Sequence, residues 1–581
     1  MKLYIAEKPS LARAIADALP KPQKKHDGYI ELGNGDCVSW CIGHLLEQAE
    51  PDDYDASFKK WRFEHLPIVP EQWQLKPKSK TRKQLTVLKK LIKQANIIVH
   101  AGDPDREGQL LVDEVIEQVK LSQAKKQQIQ RLLISDLNLS AVKKALNNLK
   151  SNRDFIPLSV SALARSRADW LFGMNLTRAY TLAGQKAGFG NVLSVGRVQT
   201  PILGLVVNRD NEIANFVAKP FYEVIAHLET QQQAFSAKWQ PSKACEPYQD
   251  EEGRVLHRGL AENVVSRITN QPAKIVELEQ KQKKQQAPLP YNLSALQIDA
   301  AKAFSMPAQK VLDTCQSLYE RHKLITYPRS DNRYLPKEHH KDAASIIAAI
   351  ANNEGQASEA CKQADTSKRS KCFNDSKVAA HHAIVPTEKQ LRSASLNSDE
   401  QKIYRLICRH YLIQFYPDYV FNETKVTVEI AGGLFKAAAK QDVSLGFKTL
   451  MGKTELKDEQ TLPSLEKGQP LHCTQGEVVD KMTTPPAHFT DATLLSAMTG
   501  ISRYVKDPEI KKILKETDGL GTEATRAGIL ELLFKRRFLE RQGKNILATA
   551  TGKALISTLP EQLASPDLTA KWEASLGNIA E

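Results

Sequence analysis

Residues 96–111 read Asn96-Ile-Ile-Val-His-Ala-Gly-Asp-Pro-Asp-Arg-Glu-Gly-Gln-Leu-Leu111, and two periodicities meet inside them. The β-branched run Ile97-Ile98-Val99, closed by Gly102, reads as a buried strand, while Leu111, Val112, Val115, Ile116 and Val119 recur at helical spacing. Asp103, Asp105 and Glu107 therefore share one strand-to-helix turn. In an open α/β sheet, sites form outside the carboxyl ends of the strands, and oxygen ligands held this close suit a hard cation such as Mg²⁺. For an isolated Asp-x-Asp, an acidic turn capping the next helix is the simpler reading.

A second turn of the same kind lies at the start of the chain. Lys2–Ala6 reads as a strand, Glu7-Lys8-Pro9-Ser10 follows, and Leu11, Ile15, Ala18 and Leu19 mark one face of a helix with Ser10 as its N-cap. Pro9 keeps Lys8 extended. If the two strands are neighbours in a parallel sheet, Glu7 faces Asp103 and Asp105 with Lys8 beside them. Carboxylates with an adjacent ammonium suit phosphate chemistry, because metal and lysine neutralise the phosphate while one carboxylate moves a proton.

The chain has 581 residues, 41% of them hydrophobic, enough for several cores, and its net charge of +14 favours a polyanionic partner, nucleic acid first. Glu7 and Lys8 stand where a signal peptide needs apolar residues, and no apolar run approaches the roughly 20 residues of a membrane span, so a soluble cytoplasmic protein is expected. The eight cysteines are scattered, and only Cys37 and Cys41 are close, which reads as reduced thiols. Gly446 to Thr454 has the wrong spacing for a phosphate loop, and Gly519-Leu-Gly-Thr-Glu-Ala524 follows no strand, so neither supplies a nucleotide site.

Further along, Lys76 to Lys93 carries eight basic residues and no acid, either a solvated helix face or a nucleic-acid contact. Ser161 to Tyr180 reads as one helix with Arg167, Trp170, Met174 and Arg178 on one face, which could stack a base between phosphate-binding guanidiniums or form core. In the loop Gly184 to Pro201, Ser194, Arg197 and Gln199 offer donors and Gly196 permits close backbone approach. Period-two runs at Tyr222–Leu228 and Val426–Ile430 suggest one discontinuous β-domain interrupted by an insertion. Residues 241–253 read as an exposed charged loop, 280–290 as a linker and 351–377 as a polar mobile loop. Within the helical insertion, Pro328 leaves Tyr327 on an extended segment with Arg329 on the same side.

Six segments together resemble the topoisomerase III branch of the bacterial type IA DNA topoisomerases: Ile5-Ala-Glu-Lys-Pro-Ser10, Ala101-Gly-Asp-Pro-Asp-Arg-Glu-Gly108, Ser161-Ala-Leu-Ala-Arg165, Ser194-Val-Gly-Arg-Val-Gln-Thr-Pro201, Leu324-Ile-Thr-Tyr-Pro-Arg-Ser330 and Ala380-His-His-Ala383. The resemblance implies a multidomain α/β, α and β protein with a toroidal core. Its parts would be a Toprim domain (1–150), a base domain for single-stranded DNA (151–215 and 485–581), a β-rich arch (216–285 and 410–484) with a decatenation-type loop at 241–260, and a helical domain (286–409) bearing the nucleophile. It implies Tyr327 as nucleophile, and Glu7, Lys8, Arg329 and His381 as its catalytic company. Glu7, Asp103, Asp105 and Glu107 would hold Mg²⁺. Trp61, Arg167, Trp170, Arg178, Gln185, Ser194, Gly196, Arg197, Gln199 and Arg329 would contact DNA, Gln185 standing where a relative carries a basic residue.

The activity implied is ATP-independent cleavage of single-stranded DNA through a 5′-phosphotyrosyl intermediate, strand passage and resealing, used for decatenation and for relaxing negative supercoils. A monomer associated with the nucleoid is implied, with a RecQ-type helicase and single-strand binding protein as partners. A topoisomerase I-like relaxing enzyme, a Toprim primase or nuclease, and a non-catalytic single-strand binder are the alternatives.

Overall fold

The computed structural model describes every residue except 379, 380, 394, 454, 458–460, 515–518 and 581. Ala379 and Ala380, which open the His-His segment, thus lie outside the described residues. Near the N-terminus, a seven-stranded sheet runs in the order Lys24–His26, Tyr29–Glu31, Cys37–Trp40, Lys2–Ala6, Ile97–Ala101, Gln130–Arg131, Lys150–Ser151. Its four middle strands are parallel, and Lys2–Ala6 pairs with Ile97–Ala101 in the register Ala6 to Ala101. Leu3 and Ile5 bury one face, Tyr4 and Ala6 the other, as a sheet covered on both sides requires.

The helix after the first strand is Pro9–Asp17, so Ser10 is not its N-cap. Pro9 takes the first helical position, where a missing N–H costs nothing, and Lys8 becomes the extended residue before it. The helix expected at 161–180 spans Ile156–Lys186. Together with Gln199–Ala214 it narrows the following loop to residues 187–198.

Strands Pro220–Glu229, Ala234–Gln240, Gly433–Ser444, Tyr419–Ile430, Gln271–Gln285 and Pro470–Met482 close into one barrel in that order, uniting the two distant period-two segments. Gln280–Gln285 are strand rather than linker. They are polar because both faces of this hairpin extension meet solvent, and the ladder is joined across strands by Lys283–Glu423 at 2.8 Å. Residues 241–254 are largely exposed, but Val255 is buried and bridges Tyr222, and a helix begins at Arg258.

Two expectations for the helical insertion fail. Residues 351–377 are not a free loop, because Cys361, Cys372 and Phe373 pack into its core. Nor does the insertion end at 409: helix Ser398–Leu412 crosses that boundary, and Tyr411, Leu412 and Phe415 share the insertion's apolar cluster. Between Phe538 and Ala548 the chain forms a hairpin of strands Leu539–Gln542 and Asn545–Ala548.

Candidate active site

The two parallel strands deliver the acids side by side. The Asp103 N–H donates to Glu7 Oε2 at 2.8 Å, and Asp105 caps helix Arg106–Glu117 by accepting from the Gly108 N–H at 2.5 Å. No side chain fits at 108, where a Cβ would lie 2.4 Å from the Asp103 carbonyl oxygen and 2.8 Å from Glu7 Oε2. From beneath, buried Arg131 donates to the carbonyls of Gly102 at 2.7 Å and Asp103 at 2.9 Å.

Tyr327 reaches this turn from the helical insertion. Its hydroxyl donates to Asp105 Oδ2 at 2.5 Å, and its N–H donates to the Ser135 carbonyl at 2.7 Å. The His381 ring stacks on the phenol with centroids 5.8 Å apart, and His381 Nδ1 lies 3.0 Å from Asp331 Oδ1. His381 Nε2 and Arg329 Nε are buried without hydrogen-bond partners. Lys8 Nζ sits 2.6 Å from Glu320 Oε1 and 3.9 Å from Asp103 Oδ2.

Burial, then repulsion from Asp103 and Asp105, pushes the Glu7 carboxyl well above the usual carboxylate range. Burial also raises Asp103, against the opposing pull of Lys8. The Tyr327 phenol is raised by burial and by Asp105, Asp103 and Glu7. Burial works against charge on His381, but Asp331 outweighs it and the imidazole is raised.

Glu7, Asp103 and Asp105 are an all-oxygen set short of positive charge, which by donor chemistry fits a hard divalent cation. Among the described residues, no three His, Cys, Asp or Glu side chains converge as a cation cage, and Asp105 holds the Tyr327 hydroxyl. Glu107, also expected at the metal, is engaged by a histidine. One turn into the helix, its carboxylate meets His44 Nε2 at 3.2 Å, while Glu114 holds His44 Nδ1 at 2.7 Å. Burial opposes charge on His44, but these two carboxylates raise it to about 10.

Of the residues expected on DNA, Trp61, Arg178, Ser194, Gly196 and Gln199 line one groove of about 660 Å³ beside the long helix, with Met174 and Arg536. The Arg178 guanidinium lies 5.2 Å over the Trp61 ring and donates to the Phe58 carbonyl. Trp170, Arg167, Arg197 and Gln185 are not among its lining residues. Trp170 is half-buried: its indole N–H donates to the Ala49 carbonyl at 3.0 Å, and its ring meets Trp73 edge-on at 5.3 Å. Arg167 covers Trp73, and Arg197 is buried between Asp169 and Glu573, each at 2.7 Å. Arg197 is thus fully engaged within the protein, whereas Arg167 Nε is buried without a hydrogen-bond partner. Gln185 is exposed near the end of the long helix.

Sequence reasoning missed Arg131, Glu320 and Asp331. An arginine within an apolar run, Gln130-Arg131-Leu132-Leu133-Ile134, was a usable signal for the first. Glu320 offered none, because only the fold brings it to Lys8.

A family model described as DNA topoisomerase matches residues 154–581, and a Toprim domain model matches residues 2–137. DNA topoisomerase 3 of Vibrio cholerae is 60% identical over 586 aligned positions, covering 100% of this chain and 91% of that relative. The Bacillus subtilis protein of the same name is 38% identical, covering 100% and 78%. Full-length topoisomerase I from Thermotoga maritima shares the fold, with a TM-score of 0.67 at 20% identity over 100% of this chain and 86% of that one.

Proposed function

Since the chain belongs to the type IA DNA topoisomerases, alongside relatives named topoisomerase 3, we propose that Tyr327 is the nucleophile that cuts single-stranded DNA and that the acidic turn serves the same phosphate. The observation that carries this is the 2.5 Å contact between the Tyr327 hydroxyl and Asp105, two groups 222 residues apart in sequence.

Asp105 accepts the phenol proton, and the phenolate oxygen forms a bond to the phosphorus. The bond to the 3′ oxygen breaks, and that oxygen takes its proton from Glu7, whose proton affinity is raised by burial and by Asp103 and Asp105. Lys8, Arg329 and His381 face the phosphate. The unpartnered Arg329 Nε and His381 Nε2 are donors that its oxygens would satisfy. Asp103 and Asp105, joined by Glu7 when it is ionised, would hold a magnesium ion, which would supply further positive charge against the phosphate. One ester replaces another, so resealing is the reverse reaction and needs no ATP.

Cleavage alone does not change linkage. The nucleophile belongs to the helical insertion and the acids to the sheet domain, so the insertion must swing away to pass a second strand. The groove around Trp61 and Arg178 holds single-stranded DNA. Unlinking of catenated circles is the main activity, with relaxation of negative supercoils second. Deleting residues 242–253 tests that ranking: decatenation should fall at least tenfold while relaxation persists, and an equal loss of both favours a relaxing enzyme of the topoisomerase I type. A RecQ-type helicase and a single-strand binding protein are the partners this activity calls for.

The decisive variant is Tyr327→Phe. Single-strand binding should stay within about twofold of the parent while the covalent DNA adduct disappears; a surviving adduct removes Tyr327 from the chemistry.

A further inference from the structure

Two chain crossings join the helical insertion to the barrel, and they run side by side. Gln285 pairs with Tyr419 where the barrel strands end, and the Gln414 amide donates to the Pro288 carbonyl at 2.6 Å. Against them lies a cavity of about 430 Å³ to which the barrel contributes Lys284 and the helical insertion Arg369 and Lys371. No hydrogen bond or ion pair engages these three cations among the described residues. Lys368, a fourth, is held by the Tyr416 carbonyl and by Asp418 at 3.8 Å, and Asp418 is the only acid lining the cavity. The wall is built rather than loose, since the Ser370 hydroxyl donates to Gln414 Oε1 at 2.9 Å.

We propose that this hinge cleft binds a DNA phosphodiester, held from the barrel by Lys284 and from the helical insertion by Arg369 and Lys371. Three cations without a partner around one cavity give it a positive potential, and a guanidinium fork with two ammoniums matches phosphate oxygens. Because the grip spans both sides of the hinge, bound DNA biases the angle between barrel and insertion, and with it the gate. The identity of the anion rests on the topoisomerase reading.

The test uses the full chain and a triple variant, Lys284→Gln, Arg369→Gln and Lys371→Gln, with Lys284→Arg and Lys371→Arg as the charge-retaining control and thermal melting as the check on folding. Binding of a gapped circular duplex is measured against salt, and hydrogen exchange is followed at residues 284–287 and 368–371. The triple variant should lower the slope of log affinity against log salt by about 0.9, the value for one phosphate, the control should retain it, and the gapped circle should protect both segments in the parent. An unchanged slope, or absent protection, overturns the proposal. Protection by inorganic phosphate without protection by DNA also overturns it, because the cleft is then a small-anion site. Adduct formation on the same DNA reads the cleavage proposal separately: no adduct with an altered slope sinks cleavage and leaves the hinge site standing.

Discussion

Asp331 shows how one carboxylate can set the chemistry of its neighbour. The elevated proton affinity of His381 depends on Asp331, so Asp331→Asn should lower it, because burial, the largest influence on the imidazole, is then opposed only by Asp105 and Asp103. Cleavage by the variant should fall further behind the parent as pH rises; parallel pH profiles would remove His381 as a charged donor. His44 gives the stability counterpart. Its folded value, raised to about 10, means that its contribution is complete below pH 6.5 and lost as pH rises through 10. His44→Gln should therefore lower the melting temperature at pH 7, and the gap from the parent should close by pH 10.5. A gap independent of pH would mean that the ion pairs contribute nothing.

At the scale of elements, the acidic turn is positioned by what cannot be changed around it. Gly108 lets the helix start within van der Waals reach of Asp103 and Glu7, and a methyl group there must push the carboxylates apart. Gly108→Ala should cost about 10²-fold in cleavage, as displacements near 1 Å do, with the circular dichroism spectrum intact. Arg131 supports the same turn from inside the sheet. Replacing it with methionine leaves the Gly102 carbonyl without the guanidinium and the Asp103 carbonyl with only the Asp105 N–H, and should cost roughly 3 kcal/mol in urea unfolding. A loss below about 0.5 kcal/mol would show that water replaces the guanidinium.

Over the whole molecule, the helical insertion is held closed by an apolar cluster shared with the sheet domain and by polar contacts, among them Asn138 to the Lys323 carbonyl at 3.0 Å and Lys144 to Glu338 at 2.8 Å. Tyr327 and Lys8 bind it to the sheet domain, and on the other side Glu523 accepts from the Ser294 N–H at 2.8 Å and from its hydroxyl, which Arg526 also contacts at 2.9 Å. Ser294→Ala leaves a buried carboxylate and guanidinium without that shared partner. Opening should become easier by one to two kcal/mol, read as about 5- to 30-fold faster hydrogen exchange in helix Leu293–Phe304. Unchanged exchange would place the hinge resistance elsewhere.

The sequence by itself determined the local pieces: strands before Glu7 and Asp103, the turns that follow them, the extended Tyr327 segment and the period-two runs. Each is written in neighbouring residues, through β-branching, proline geometry and apolar spacing. Only the tertiary structure decided which side chains meet. Glu107 turned to His44, Arg197 to Asp169 and Glu573, and Trp170 to Trp73, because a charge or ring pairs with whatever the fold brings within a few ångströms. Glu320 beside Lys8 and the cations at the hinge have no local signature for the same reason.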